Sequence, residues 1–152
     1  METYRFGRFI LTVEGISKAV KKIKLCEAPR FGLKGVHLLW MYELLKSPDG
    51  IAASELAEHS NINRSLVSRE LKSLHKNGYI TSINSGKSGY NAKLILTEKG
   101  IETAKKIGNI ALELQNRVSL DISEEELISF YATLDKIYSS LSAIADEEYI
   151  SQ

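Results

Sequence analysis

Residues 54–80 read SELAEHSNINRSLVSRELKSLHKNGYI, and the fold prediction rests mainly on their pattern. It predicts a short helix with Ser54 as its candidate N-cap, followed by a tight turn at Asn61-Ile62-Asn63. A second helix is predicted from about Arg64 to Asn77, because Val67, Leu71 and Leu74 recur there at helical spacing. The stretch therefore predicts a helix-turn-helix.

The residues that follow have the pattern of a β-hairpin. Gly78 suits the left-handed cap that ends the second helix. Segments 79–83 and 92–96 are strand-like, and the turn-forming residues of 84–91 join them. Helix, turn, helix and hairpin is the element order of a winged helix-turn-helix, in which the hairpin is the wing.

Helices are also predicted on both sides of this region. An apolar helix precedes it at 33–46, and Thr97 can cap a helix over about 98–118. The first helix, at 6–24, and the last, which opens with a Ser-x-x-Glu capping box at 123–126, carry apolar residues spaced 3, 4, 3, 4, 3. These apolar seams are Phe6, Phe9, Val13, Ile16, Val20 and Ile23, and then Leu127, Phe130, Leu134, Ile137, Leu141 and Ile144. The predicted fold is mainly α with a small β-hairpin wing.

The charge of the chain is segregated along its length. Its 152 residues include 20 basic and 19 acidic side chains, a net charge of +1. Residues 1–50 carry nine basic and five acidic side chains, residues 51–100 seven and four, and residues 101–152 four and ten. Between residues 61 and 93 there are six basic residues and one acid, Glu70. A near-neutral total therefore does not exclude a nucleic-acid partner.

Length and composition limit the class of protein. The length suits a single domain, 1–152, and 43% hydrophobic content is typical of a globular chain. No apolar run approaches the roughly 20 residues of a membrane span, so no membrane partner is expected. With no apolar secretion signal at the N-terminus and one cysteine, Cys26, we expect a cytoplasmic protein.

The helix from residue 64 has the composition of a helix that reads DNA. Its apolar residues face inward, which leaves polar and basic side chains outward and short ones near its N-terminus, where the backbone can approach base edges. Arg64 suits a bidentate contact to guanine, and Asn63 or Ser65 suits a base or a phosphate. In the wing, Lys87 and Lys93 are candidate phosphate ligands. The candidate DNA contacts are Asn63, Arg64, Ser65, Ser68, Arg69, Lys72, Lys87 and Lys93. A competing interpretation is that these residues merely form the solvated faces of a helical bundle. That interpretation does not explain why the element order, the basic charge, the capping residues and the hairpin occur together.

Over nearly its whole length the sequence resembles the MarR family of transcription regulators. The specific pieces are Ser65-x-x-Ser68-Arg69, the Leu74-x-x-x-Gly78-Tyr79-Ile80 junction and Leu96-Thr97-x-x-Gly100. The resemblance implies a homodimer on a palindromic site. Residues 1–30 and 101–152 would be its dimerisation helices, and residues 33–100 its DNA-binding region. The apolar seams agree with this, because a single copy can hardly bury them. The predicted function is a sequence-specific, double-stranded DNA-binding transcriptional repressor.

The wing departs from the family pattern. Family members usually carry an Asp-x-Arg pair at the positions that Ser88 and Tyr90 occupy here, so the minor-groove arginine is missing. Either Lys87 substitutes, Tyr90 contacts the sugar-phosphate backbone, or the wing contributes little. The departure keeps an alternative function open, a winged-helix protein–protein interaction module without sequence-specific DNA binding.

Other sites receive little support from the sequence. The resemblance implies a small aromatic or anionic effector, and Trp40, Tyr42, Phe9, Tyr131 and Tyr138 are aromatic residues that could line its cavity. The three histidines lack metal-ligand spacing, so no metal or cofactor is expected. Cys26 has no evident activating surroundings. No nucleophile–base motif indicates an enzyme.

Overall fold

The computed structural model describes residues 2–60, 62, 64–84 and 92–149. The helices are α1 (Glu2–Glu27), α2 (Gly35–Lys46), α3 (Ala53–Ser60), α4 (Arg64–Lys76), α5 (Glu98–Val118) and α6 (Glu124–Tyr149). A 3-10 turn at Ala28–Phe31 links α1 to α2, and the strands are β1 (Ile51–Ala52), β2 (Ile80–Asn84) and β3 (Ala92–Leu96). The predicted fold class, mainly α with a small antiparallel sheet, is confirmed.

The described sheet has three strands rather than the two of the predicted hairpin. Its order is β1-β3-β2, and β3 pairs antiparallel with both neighbours. Ile51 of β1 lies opposite Leu94, and Ile80 of β2 lies opposite Leu96. A two-residue strand such as β1 is too short to produce a periodic pattern, so it was not predicted.

The helix ends follow the predicted capping chemistry, with one correction. Gly78 has a φ of 72°, and the N–H of Tyr79 donates to the carbonyl of Leu74 at 3.0 Å, which closes α4. At α6, the backbone N–H of Ser123 donates to Glu126 and its hydroxyl accepts from the Glu126 N–H, as the capping box requires. The prediction of Ser54 as an N-cap is wrong. Because α3 begins at Ala53, the cap interaction runs instead from the N–H of Ala52 to the Glu55 carboxylate at 2.7 Å.

A close contact between α5 and the end of α4 explains the Leu96-Thr97-x-x-Gly100 motif. The Thr97 hydroxyl donates to the carbonyl of Gly78 at 2.6 Å and accepts from the N–H of Gly100 at 3.1 Å. The backbone N–H of Thr97 donates to the carbonyl of Tyr79 at 3.0 Å. A Cβ atom at Gly100 would collide with that same carbonyl, so only glycine lets the first turn of α5 approach this closely.

The chain divides into two compact units, Met1–Ile110 and Ala111–Gln152. The first contains the hydrophobic core, to which the two helices of the helix-turn-helix, α2 and the sheet contribute. Its fully buried large side chains are Trp40, Met41, Leu44, Leu56, Leu74 and Ile80. The second contains the end of α5 and all of α6. Among the described residues, no helix is long and apolar enough to cross a membrane.

Candidate nucleic-acid interface

Helix α4 has one buried and one exposed face. Val67, Leu71 and Leu74 are buried in the core, as their spacing predicted. On the other side of the helix, four of the predicted DNA contacts are exposed to solvent: Ser65, Ser68, Arg69 and Lys72. The core contacts therefore hold α4 so that a polar, basic surface faces solvent.

Of the remaining predicted DNA contacts, the structure describes only the side chain of Lys93. Lys93 lies on the central strand β3, half-buried, opposite Ala52 and Ile83. Arg64 begins α4, but its side chain lies outside what the structure describes, as do Asn63, Lys87 and Tyr90. Hence the structure brings four predicted DNA contacts together on the exposed face of α4, and the predicted contacts at the tip of the wing lie outside the described residues.

Hydrogen bonds join α4 to the strand that follows it. The imidazole Nε2 of His75, in the last turn of α4, lies 3.0 Å from the hydroxyl of Ser82 on β2. The hydroxyl of Tyr79, between the two elements, donates to the carbonyl of Phe31 at 2.6 Å, and the Lys99 ammonium lies 4.2 Å from its ring centre. The base of the wing is thereby tied to both α4 and the turn before α2.

A cluster formed by Lys34, His37 and Glu70 connects α2 to the buried face of α4. Glu70 is buried, and its Oε1 accepts from Lys34 Nζ at 2.8 Å while its Oε2 lies 3.0 Å from His37 Nε2. We call these three residues the α2–α4 cluster. Sequence reasoning missed it, although Glu70 falls three residues after Val67, on the inner face, which predicts burial of its carboxylate.

The hydrogen bonds identify the tautomer of His37. Its Nδ1 accepts the backbone N–H of Lys34 at 3.2 Å, so Nδ1 carries no proton in the neutral ring. The proton of the neutral ring is therefore on Nε2, which donates to Glu70. Both ring nitrogens are thus satisfied when His37 is uncharged, and a proton added at Nδ1 would face the Lys34 N–H.

The pKa values of the cluster follow from this arrangement. Burial lowers the pKa of His37 below its usual value of 6.5, against the opposing effect of the Glu70 carboxylate. The hydrogen bond from Lys34 is the main reason that the pKa of Glu70 lies below its usual value of 4.5, and the hydrogen bond from His37 acts in the same direction. The folded protein therefore favours neutral His37 and ionised Glu70.

Acid is expected to destabilise the protein through this cluster. Because the folded-state pKa of His37 is lowered, its contribution is complete above pH 6.5 and is lost as the pH falls towards the lowered pKa. The slope from this single group is at most about 1.4 kcal/mol per pH unit. The contribution of Glu70 is lost at lower pH, as the pH falls from 4.5 through its folded-state pKa.

Urea denaturation from pH 8 to about pH 3 measures both losses of stability. His37→Gln keeps a donor near Glu70 but cannot titrate. The loss of stability below pH 6.5 should therefore disappear, while the loss below pH 4.5 remains. His75→Gln, at an exposed site that does not touch Glu70, is the control. An unchanged pH profile in His37→Gln would contradict the assignment.

The apolar seams of α1 and α6 are largely exposed in the single chain. In α1, Phe6, Val13 and Ile16 are exposed and Phe9 is half-buried. In α6, considered separately, Phe130 and Leu141 are exposed, and the half-buried members are Leu127, Leu134 and Ile137. Exposed apolar rows of this length are typical of surfaces that another chain covers.

Two further sequence predictions concern other kinds of site. Trp40, an aromatic candidate for an effector cavity, is fully buried in the core, whereas Tyr42, Tyr131 and Tyr138 are exposed. Cys26 is an exposed free thiol. Among the described residues, no three His, Cys, Asp or Glu side chains form a group that could hold a metal ion.

Comparison with known proteins identifies a matching family model and solved structures of the same fold. The MarR family model matches residues 31–89, which include both helices of the helix-turn-helix. A search of curated protein sequences finds no match. Among solved structures, the chain is similar to a MarR-family regulator from Listeria monocytogenes complexed with 26mer DNA, at 20% identity and a TM-score of 0.81, covering 92% of this chain and 94% of that one.

Two further structures have the same fold. The S. aureus MepR–DNA complex is 22% identical with a TM-score of 0.76, over 88% of this chain and 97% of that one. A MarR-family regulator from Neisseria meningitidis is 17% identical with a TM-score of 0.78, over 94% and 97%. These likenesses establish the shared fold, and the family model matches the segment that carries α4. The chain has the winged helix-turn-helix fold of these regulators, and the segment that matches the MarR family model, residues 31–89, contains α2, α3 and α4.

Proposed function

We propose that this protein is a transcriptional repressor that binds a palindromic operator in double-stranded DNA as a homodimer. The observation that carries the proposal is the division of α4 into a core-packed face and an exposed face with Ser68, Arg69 and Lys72. A helix held in this way can enter the major groove with polar side chains at base edges and cations near phosphates. In this proposal the whole chain, 1–152, acts as one domain.

The proposed roles within the interface differ by side chain. Arg64 and Asn63 or Ser65, near the start of α4, contact base edges or phosphates, and Arg69 and Lys72 contact bases or the backbone. Lys93 and the wing residues Lys87 and Tyr90 contact the sugar-phosphate backbone. The solved relatives from Listeria monocytogenes and S. aureus, which have the same fold, were crystallised with DNA, which supports this use of the fold.

The exposed seams support the dimer. In our proposal the α1 and α6 rows bury their apolar side chains against a second copy, and burial of apolar surface contributes about 25 cal/mol per Å². A dimer with two-fold symmetry presents two copies of α4, which accounts for a palindromic site. The dimerisation helices lie within residues 1–30 and 101–152 and make their contacts through the apolar seams, and residues 33–100 form the DNA-binding region.

Selection of DNA from a randomised library by the purified protein tests the proposal. We expect a palindrome with half-sites about one helical turn apart, roughly 10 base pairs from centre to centre. Repression is then measured by transcription in vitro from a promoter that carries the selected sequence. Equally weak binding to all sequences, together with stable association with another protein, would favour the alternative winged-helix interaction module.

We further propose that a small aromatic or anionic effector lowers the affinity for DNA. This rests on the family resemblance, and no residue is assigned to its site. Benzoate is a suitable first probe, since it is both aromatic and anionic. Titration of benzoate against the protein–operator complex should release DNA, whereas cyclohexanol, a neutral ring compound, should not.

Arg69→Ala should weaken binding to the selected DNA by about 1–3 kcal/mol, because an exposed cation on α4 is removed. Arg117→Ala removes the same charge from an exposed position in the last turn of α5 and is the matched control. Fluorescence anisotropy over a range of salt concentrations separates the two roles of Arg69. Loss of a phosphate contact lowers the salt slope by about one, whereas loss of a base contact relaxes specificity at one position. Equal binding by both variants and the wild type would contradict a DNA contact at Arg69.

A further inference from the structure

We propose that the α2–α4 cluster positions α4, so that Lys34, which lies outside α4, is a determinant of DNA sequence selectivity. The inference deepens the proposed function and rests on it. Its starting observation is that both carboxylate oxygens of Glu70 are engaged, one by Lys34 at 2.8 Å and the other by His37 at 3.0 Å.

The place of Glu70 on the helix gives the cluster its effect. Successive helical residues are about 100° apart, so Ser68 and Lys72, two positions away on either side, lie roughly opposite Glu70. Both of these side chains are exposed, whereas the side chain of Glu70 is only 6% exposed. Any rotation or sliding of α4 that moves Glu70 therefore moves the face that contacts DNA.

The apolar contacts of α4 do not by themselves restrict the helix to one position. Val67, Leu71 and Leu74 pack against the core through contacts that have little directional preference. Volume and burial can be conserved through small shifts of a helix, and such cores lose uniqueness before they lose stability. Two charge-assisted hydrogen bonds to one carboxylate depend strongly on distance and angle, so they select one position of α4.

The two donors come from neighbouring residues at the start of α2. Lys34 precedes the first turn of α2, and its backbone N–H is bound to the ring of His37 in that same turn. The described charged groups that act on His37 are Glu70 and Lys34. Because the Lys34 side chain is 64% exposed, its removal can release one carboxylate oxygen without leaving a cavity in the core.

The test compares four proteins on two duplexes, the DNA selected by the wild type and a random sequence of equal length. Lys34→Met removes the donor and keeps the aliphatic stem, and Lys34→Arg keeps a cationic donor. Lys106→Met removes a charge of equal size from an exposed site on α5. The measured quantity is the dissociation constant for the random duplex divided by that for the selected duplex. Hydrogen exchange of the α4 amides is a second measurement that needs no DNA.

We expect Lys34→Met to reduce the ratio about tenfold, the loss expected when one base pair is no longer read, in a protein that stays folded although it loses the stability that this hydrogen bond gives to ionised Glu70. Lys34→Arg should restore the ratio and Lys106→Met should not change it. Among the three variants, only Lys34→Met should increase the hydrogen-exchange rate of the α4 amides. An unchanged ratio in Lys34→Met, or an equal loss in Lys106→Met, overturns the proposal.

The outcome for the wild type separates this inference from the proposed function. If the wild type shows no sequence preference at all, the proposed function fails and hydrogen exchange decides the inference by itself. Faster α4 exchange in Lys34→Met than in Lys106→Met then supports positioning by the cluster. Equal exchange rates overturn it.

Discussion

Gly100→Ala is expected to lower the free energy of unfolding by roughly 3 kcal/mol, the upper end of the usual cost of overpacking. The added Cβ would meet the carbonyl carbon and oxygen of Tyr79, which are backbone atoms and cannot rotate away. That carbonyl also accepts the backbone N–H of Thr97, so moving it disrupts the joint between α4 and α5. Thermal denaturation should show a fall in melting temperature of roughly 6–12 °C.

Gly108→Ala is the matched control for this effect. Gly108 lies in the same helix, and a Cβ there would meet nothing within 4 Å. Alanine is a better helix former than glycine, so this variant should gain about 0.5–1 kcal/mol. If both variants changed stability in the same direction, the close approach at Gly100 would not be the cause.

Ile16→Asp is expected to dissociate the proposed homodimer. Ile16 lies near the middle of the α1 seam and is 56% exposed in the single chain. In the dimer an aspartate there would be a buried charge without a partner, which costs roughly 3–5 kcal/mol. The dimer dissociation constant should therefore rise at least about a hundredfold, as measured by sedimentation equilibrium.

Lys18→Asp provides the comparison on the same helix. Residue 18 is two positions from residue 16, about 200° around the helix, and is exposed away from the seam. It introduces the same carboxylate, so the dimer should persist if the seam is the interface. A monomeric wild type, or equal dissociation of both variants, would contradict the assignment of the α1 seam to the dimer.

Periodic and local signals were sufficient to predict most of the fold. The 3, 4, 3, 4, 3 spacing predicted α1 and α6, although α1 extends to Glu27, three residues beyond the predicted end. Turn and cap residues such as Gly78 and Ser123 predicted where helices end and begin, because capping depends on neighbours a few residues away. Ser54 is not the cap because α3 already begins at Ala53, and the Glu55 carboxylate accepts the N–H of Ala52.

The candidate DNA-contacting face was predicted by the same kind of signal. The inward spacing of Val67, Leu71 and Leu74 implies that Ser68 and Lys72 face outward, and both are exposed. The wing was predicted as a hairpin from its turn-forming residues, but the strand β1 that completes the sheet pairs with Leu94 and Lys93 from more than 40 residues away. No local pattern in two residues can indicate that pairing.

Local sequence patterns therefore predict the helices, the hairpin, the exposed basic face of α4 and the apolar seams, because each depends on the periodicity or capping of adjacent residues. The contacts between distant segments, in contrast, depend on how the chain packs. Packing brought the Glu70 carboxylate to Lys34 and His37, 36 and 33 residues earlier in the chain, and it placed Gly100 against the carbonyl of Tyr79. The physical reason is that a hydrogen bond or a steric contact depends on distances of a few tenths of an ångström, and only the packed core sets such distances between segments remote in sequence.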